Sequence, residues 1–215
     1  AGAPDKATQA MESVKNHLVS KENGLIALLT PAFQNSDPSP GYIQSYVAGV
    51  RENGGQYTHA AVWVVLAAAM LGDGDAAWQY FHLINPVNHT QSTMEAARYK
   101  NEPYALSADV YTNPAHLGRA GWSFYTGAAG WYYKVGTEEI LGLKKRGNRL
   151  YVEPCVPEEW KEFFVEYRYC KTSYRIHVVR DQTLDKGETR YEKPYKDWIA
   201  LEDKKTAVVT SVYFN

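Results

Sequence analysis

KKRGN, residues 144–148, separates two kinds of sequence. Beyond it, FFVEYRYC (163–170) and SYRIHVV (173–179) alternate apolar and polar side chains or nearly so, and IALEDKKTAVVTSVYF (199–214) reads as two strands joined at a polar turn. A period of two belongs to strands with one buried face. Before it the period is helical. Ala7, Ala10, Met11, Val14 and Leu18 predict an amphipathic helix that buries one face and ends near Asn23 and Gly24. AAVWVVLAAAML (60–71), opened by His59 and stopped at Gly72, is apolar on every side, as in a helix buried among other helices. Further helices are predicted from Asp75 to Ile84, Gln91 to Arg98, Trp122 to Val135, and Thr137 to Leu143. Helices first and strands second make an α+β chain, not the βαβ alternation of a nucleotide-binding fold. The boundary is placed near residue 145, with a helical part over 1–145 and a compact antiparallel β unit over 146–215.

The 215 residues carry 23 Lys and Arg against 24 Asp and Glu, a balance that excludes nucleic-acid binding through a basic surface. With 45% hydrophobic and 22% charged residues the chain is globular in type and long enough for a sizeable core. Its longest apolar run falls short of the roughly 20 residues of a membrane helix, so no direct membrane contact is expected. The N-terminus has no signal-peptide pattern and starts inside a helical pattern without Met, as if cut from a longer chain. Cys155 and Cys170 form neither a disulfide framework nor a zinc site, and lone thiols fit a reducing, cytoplasmic setting. Aromatics are abundant, with 17 Tyr and 6 Trp; sugar clefts use such rings as platforms, and cores and interfaces absorb them too.

Three segments concentrate chemistry. GVRENGGQYTH (49–59) packs a cation, a carboxylate, two amides, a hydroxyl and an imidazole around a Gly-Gly pair just before the buried helix. Such groups can grip sugar hydroxyls, and a helix start at His59 favours an anion; the same residues also read as a plain Asn-Gly-Gly turn. GRAGWSFYTGAAGW (118–131) sets Thr126 beside Gly127, a small oxyanion cradle or simply tight helix packing. Gly127 and Gly130 each cost about 1 kcal/mol in a helix interior and ask for a close neighbour or ligand. YKNEPYALSADVY (99–111) places Glu102 before Pro103 at a helix break, either facing a cleft or capping a helix. Elsewhere, GDGD (72–75) lacks the spacing of a calcium loop and reads as a helix-helix turn. His82, His89, His116 and His177 lack metal-ligand spacing, so no metal is expected, and there is no GxSxG elbow or Cys-His pairing.

Together with AMESVKNHLV, GLIALLTPAF, PGYI, GDGDAAWQYFHLINPVNH, EILGLKKRGNRL and EPCVPEEW, these segments resemble the C-terminal part of the inverting glycoside phosphorylases of the cellobiose phosphorylase family. The likeness is greatest to the branch acting on β-1,2-glucans, which includes 1,2-β-oligoglucan phosphorylase and the C-terminal domain of cyclic β-1,2-glucan synthase. The resemblance implies the last helices of an (α/α)6 barrel followed by a two-layered antiparallel β-sandwich. It implies phosphate held by His59, Thr126 and Gly127. Sugar contacts are implied for Arg51, Glu52, Asn53 and Gln56, and also for Glu102, Tyr104, Arg119 and Trp122. Ser107 and Ala108 stand where cellobiose-type members carry a Gln, and GRAGW differs from their approach to the Thr-Gly pair; both favour β-1,2 linkage.

The implied reaction is reversible phosphorolysis with inversion, in which phosphate attacks the anomeric carbon and a carboxylic acid protonates the leaving oxygen. Phosphate is then a co-substrate and no cofactor is needed, with a β-glucooligosaccharide as the other partner. The family's general acid is an Asp, and part of its phosphate site an Arg, in segments that precede those present here. No catalytic residue is therefore expected in this chain, which by itself should be inactive without the remainder of the barrel. A severed barrel exposes apolar helix faces, which a homodimer would cover. The parent would be a cytoplasmic phosphorylase or the cytoplasmic domain of a membrane-bound synthase. Two other functions share the pattern: an inverting glycoside hydrolase on the same barrel, and a non-catalytic carbohydrate-binding or chain-length module.

Overall fold

The computed structural model describes residues 3–124 and 126–215, with the backbone alone at Thr126. Contacts divide the chain into two compact units, one over Ala1–Leu71 and Ala76–Val135, the other over Gly72–Asp75 and Gly136–Asn215.

In the first unit, α1 (Pro4–His17) starts with proline in its first turn, where the missing N–H costs nothing. It ends earlier than its periodicity predicts, because Val19–Ser20 (β1) turns back through Gly24 and pairs with Leu25–Ile26 (β2). No residue of α1 is buried: Met11, Val14 and Leu18 are half-covered, while Ala7 and Ala10 are exposed. The predicted apolar stripe is thus present and largely uncovered. Leu25 and Ile26, at 2% exposure, belong to the core. A long irregular segment with one 3-10 turn (Gly41–Ser45) leads to β3 (Gln56–Tyr57) and directly into α2 (Thr58–Met70).

Helix α2 buries Ala61, Val62, Val65, Ala68 and Ala69 on one side. Its opposite side is open, with Trp63 at 52% and Met70 at 73% exposure, so the all-round apolar pattern is only half used. A turn at GDGD leads to α3 (Gly74–Leu83), and α4 (Thr93–Tyr99) follows. Ser92 caps α4, its hydroxyl accepting the Glu95 N–H at 3.2 Å and donating to the Glu95 carboxylate at 2.8 Å. Next, β4 (Asp109–Val110) pairs antiparallel with β3. Residues 118–124 are not helical, although the pattern predicted a helix from Trp122. They run beside β4, with Ala108 N–H donating to Trp122 O, Gly121 N–H to Asp109 O and Tyr111 N–H to Arg119 O. Helix α5 therefore begins only at Thr126 and runs to Lys134 (Thr126–Lys134). The separate helix predicted from Thr137 is a π-turn over Val135–Ile140, with Leu141 N–H bonded five residues back to Gly136 O at 3.0 Å.

In the second unit, β5 (Leu143–Arg146) and β6 (Arg149–Val152) form a hairpin across Gly147 and Asn148. β7 (Glu162–Tyr169) and β8 (Thr172–Arg180) form a longer one. After β9 (Thr189–Tyr191), β10 (Ile199–Ala200) joins β6, and β11 (Ala207–Phe214) enters between β8 and β9. Alternation places Tyr174, Ile176 and Val178 of β8 and Thr210, Val212 and Phe214 of β11 inward. The Tyr191 hydroxyl accepts the Val152 N–H at 2.8 Å and that of Tyr174 donates to Ala200 O at 3.1 Å, tying one sheet to the other. One pairing departs from the all-antiparallel expectation: β11 lies parallel to β8. The chain leaves β8 at Arg180 and returns at Ala207 after a long excursion, long enough to re-enter in the same direction, which a tight turn cannot do. The polar segment between β10 and β11 likewise joins strands of different sheets.

Candidate functional site

The segment 49–59 is held from within by two amides. Asn53 is fully buried; its Oδ1 accepts the Phe33 N–H at 2.7 Å and its Nδ2 donates to Phe33 O and Tyr46 O, both at 2.8 Å. Gln56, 1% exposed, accepts the Ile26 N–H at 2.9 Å and donates to the Thr58 hydroxyl at 3.4 Å. Both were expected to touch sugar. The structure turns them inward, where their hydrogen-bonding capacity is spent on fixing the long loop and β2 around the turn.

Arg51 and Glu52 face the other way. Arg51 has φ +50°, in the left-handed region, and its guanidinium lies 4.6 Å from the Trp122 ring centre and 5.4 Å from that of Tyr46. Its Nε is 3.6 Å from Glu52 Oε2. Trp122 keeps 64% of its surface exposed and Tyr104 79%, with the Phe124 ring 6.4 Å from Tyr104. Asn101 bridges to this region, its Nδ2 donating to Gly121 O while its Oδ1 accepts the N–H of Glu102. Arg51, Glu52, Trp122 and the Glu102 segment are thus gathered around 118–122. Arg119, within the same stretch, is exposed.

Asp109 belongs to the same group and was missed as an individual residue. It is 4% exposed, and a Cβ on Gly121 would overlap its Oδ1. Burial pushes its carboxyl above the usual aspartate range, against the pull of the Arg51 charge and of the Arg51 main-chain N–H; nearby Glu52 adds to the rise. An acid inside the otherwise small and apolar run ALSADV was the available signal.

His59 lies in the first turn of α2 among rings, 5.6 Å from Trp63 and 6.5 Å from Trp131 of α5. Trp63 and Trp131 are themselves 5.5 Å apart, so α2 and α5 pack with their indoles together. The helix of His59 is therefore against the helix that Thr126 and Gly127 begin. The Thr126 side chain lies outside the described residues. A Cβ on Gly127 or Gly130 would meet nothing within 4 Å, so no described neighbour requires glycine there.

Glu52 Oε2, His59 Nε2, Glu102 Oε2 and Asp109 Oδ2 are all buried without a hydrogen-bond partner among the described residues. Buried polar atoms are rarely left without a hydrogen bond, and these four lie on two short segments, 52–59 and 102–109. Three acceptors suit hydroxyl donors, while the imidazole suits an anion or a hydroxyl. Among the described residues no group of His, Cys, Asp and Glu is arranged to hold a metal ion, and no helix is long and apolar enough to cross a membrane.

Residues 1–142 match the glycosyl hydrolase 94 superfamily, catalytic domain. The chain is 46% identical over 180 residues to the cyclic β-(1,2)-glucan synthase NdvB of Rhizobium meliloti (strain 1021), covering 84% of this chain and 6% of that protein. It is 30% identical over 185 residues to the N,N'-diacetylchitobiose phosphorylase of Vibrio proteolyticus, covering 85% of this chain and 22% of that one. Identity to the 1,2-β-oligoglucan phosphorylase of Listeria innocua serovar 6a is 27% over 170 residues, covering 72% and 16%. The chain thus spans less than a quarter of the length of these curated relatives.

Proposed function

Because the chain belongs to the glycosyl hydrolase 94 superfamily, we propose that it is part of a glycoside phosphorylase that cleaves β-1,2-linked glucan reversibly, with inversion, to α-glucose 1-phosphate. The observation that carries this is the set of four buried polar atoms, on Glu52, His59, Glu102 and Asp109, that have no hydrogen-bond partner among the described residues. The β-1,2 linkage is supported by two relatives whose names carry it, the synthase and the oligoglucan phosphorylase.

In this mechanism phosphate is the nucleophile and the co-substrate, and no cofactor takes part. His59 Nε2 and the main chain at Gly127, with the Thr126 hydroxyl, hold the phosphate at the starts of α2 and α5. Phosphate attacks the anomeric carbon from the face opposite the glycosidic oxygen, the C–O bond breaks, and an acid supplied by the rest of the protein protonates the leaving oxygen. A hydrolase would need a second carboxylate to activate water, whereas phosphate already carries its charge. Glu52, Glu102 and Arg51 hold sugar hydroxyls, Trp122 and Tyr104 offer ring faces, and Arg119 reaches the sugar from the rim. Asn53 and Gln56 shape the loop. The helical part, 1–145, closes an (α/α)6 barrel with helices from the remainder of the protein, and 146–215 forms its C-terminal β-sandwich. The chain on its own is inactive, and the parent works in the cytoplasm.

The test is release of α-glucose 1-phosphate from β-1,2-glucooligosaccharides by the full-length protein, with and without phosphate and with cellobiose as control. Phosphate-dependent release from the β-1,2 substrate alone is expected. Free glucose formed regardless of phosphate would replace the phosphorylase by a hydrolase, and glucan binding without turnover would leave a carbohydrate-binding module.

A further inference from the structure

Asp109 sits where a carboxylate is costly. It is 4% exposed on β4, pressed against Gly121, with Oδ2 buried and unbonded among the described residues. Its remaining contacts converge on one residue. The Arg51 main-chain N–H points at it, and Arg51 holds a left-handed conformation that a non-glycine residue adopts only when its surroundings impose it. From that conformation the guanidinium lies beside both Trp122 and Tyr46.

We propose that Asp109 is a positioning and specificity residue of the sugar site: it fixes the turn at Arg51, and with it the guanidinium beside Tyr46 and Trp122, and presents Oδ2 to a hydroxyl of a neutral sugar. This rests on the reading that the site takes a glucan. Glu52 Oε2, buried 3.6 Å from Arg51 Nε and without a hydrogen-bond partner among the described residues, is a second acceptor of the same sign. Two carboxylate oxygens that lack hydrogen-bond donors reward a ligand that donates hydrogen bonds and penalise one that brings a negative charge. Neutral glucose units are accepted and uronic-acid units are excluded.

The experiment measures binding of a neutral β-1,2-glucooligosaccharide, and of the same oligosaccharide carrying a glucuronic acid unit, to the full-length wild type and to Asp109→Asn, Gly121→Ala, Arg51→Gln and Asp109→Asn/Arg51→Gln. Asp109→Asn should lower affinity for the neutral glucan about tenfold or more. It should narrow the preference over the charged ligand and leave the melting temperature unchanged or higher. The double variant should lose less than the product of the single losses, because one residue acts through the other. Gly121→Ala, which keeps the carboxylate and displaces it, should show the same loss and remains informative if Asp109→Asn does not fold. Wild-type affinity in Asp109→Asn or in Gly121→Ala, independent effects in the double variant, or a loss that only follows a lowered melting temperature would overturn the proposal. A wild type that binds glucan without phosphate-dependent turnover removes the phosphorylase alone, whereas one that binds no glucan removes both.

Discussion

Asn53 grips the main chain of Phe33 at both polar ends, Oδ1 accepting its N–H at 2.7 Å and Nδ2 donating to its carbonyl at 2.8 Å. With the third bond to Tyr46 O, one fully buried side chain holds both ends of the irregular segment ahead of the site. Asn53→Ala should cost about 3 kcal/mol or more, since each bond contributes about 1 kcal/mol net and its buried partners are left unmatched. Asn53→Asp should also destabilise, because it sets a charge against two carbonyls. Denaturant unfolding of the full-length protein measures both; a cost below about 1 kcal/mol would show that the loop is held elsewhere.

His59 Nε2 is buried beside Trp63 and Trp131 without a hydrogen-bond partner among the described residues. His59→Ala in the full-length protein should raise the phosphate KM by about 10- to 100-fold, the worth of a hydrogen bond to a charged group, with far less change in oligoglucan affinity. Steady-state kinetics with phosphate varied, set beside glucan binding by calorimetry, separates the two. An equal loss in both would give His59 a folding role.

His89 predicts an acid-side loss of stability. The ring is buried and stacked on Tyr99 at 4.9 Å, with Nε2 2.9 Å from Leu83 O. Its pKa is lowered chiefly by that burial, which outweighs the Leu83 carbonyl. A lowered folded-state value means that the unfolded chain binds the proton more readily. His89 should therefore contribute stability above about pH 6.5 that is lost as the pH falls through the folded value. Melting temperatures from pH 7.5 to 5 should fall in the wild type and fall less steeply in His89→Gln; parallel curves would assign the slope to other groups.

Tyr191 joins the two sheets of the second unit through Val152. Tyr191→Phe keeps the ring and strands the buried Val152 N–H, at a cost of about 1–3 kcal/mol. Burial holds the phenol up at about 12. A raised value for an acid means stability that is intact below about pH 10 and lost as the pH climbs towards 12. Unfolding at pH 8 and pH 11 should narrow the gap between wild type and Tyr191→Phe, and a constant gap would contradict this account.

Much of the architecture was legible because it depends on local pattern. A period of two over 163–179 specifies strands whatever surrounds them, and the helix expected over Gln91 to Arg98 is α4. The misjudged elements depend on partners distant in the chain. The segment from Trp122 looks helical by composition, yet the Trp122 carbonyl accepts the Ala108 N–H, and a propensity signal carries no information about such a bond. β11 looks like the second arm of a turn, yet pairs parallel to β8 because the intervening chain is long. For α1 and α2 the apolar faces were correctly seen, but periodicity cannot tell whether this stretch of chain supplies what covers them.

The same division holds at the site. The residue types, the loop before α2 and the superfamily pattern follow from the sequence, because they rest on identity and spacing. Only the tertiary structure decided which side chains in RENGGQ turn inward, as Asn53 and Gln56 do, and which turn out, as Arg51 and Glu52 do. Neighbouring residues in a turn have no fixed period, so their directions depend on the hydrogen bonds offered by Phe33, Tyr46 and Ile26. The pairing of Asp109 with Gly121 is of the same kind. It depends on strand register, which brings together residues a dozen apart in sequence and leaves one carboxylate oxygen buried without a hydrogen-bond partner among the described residues.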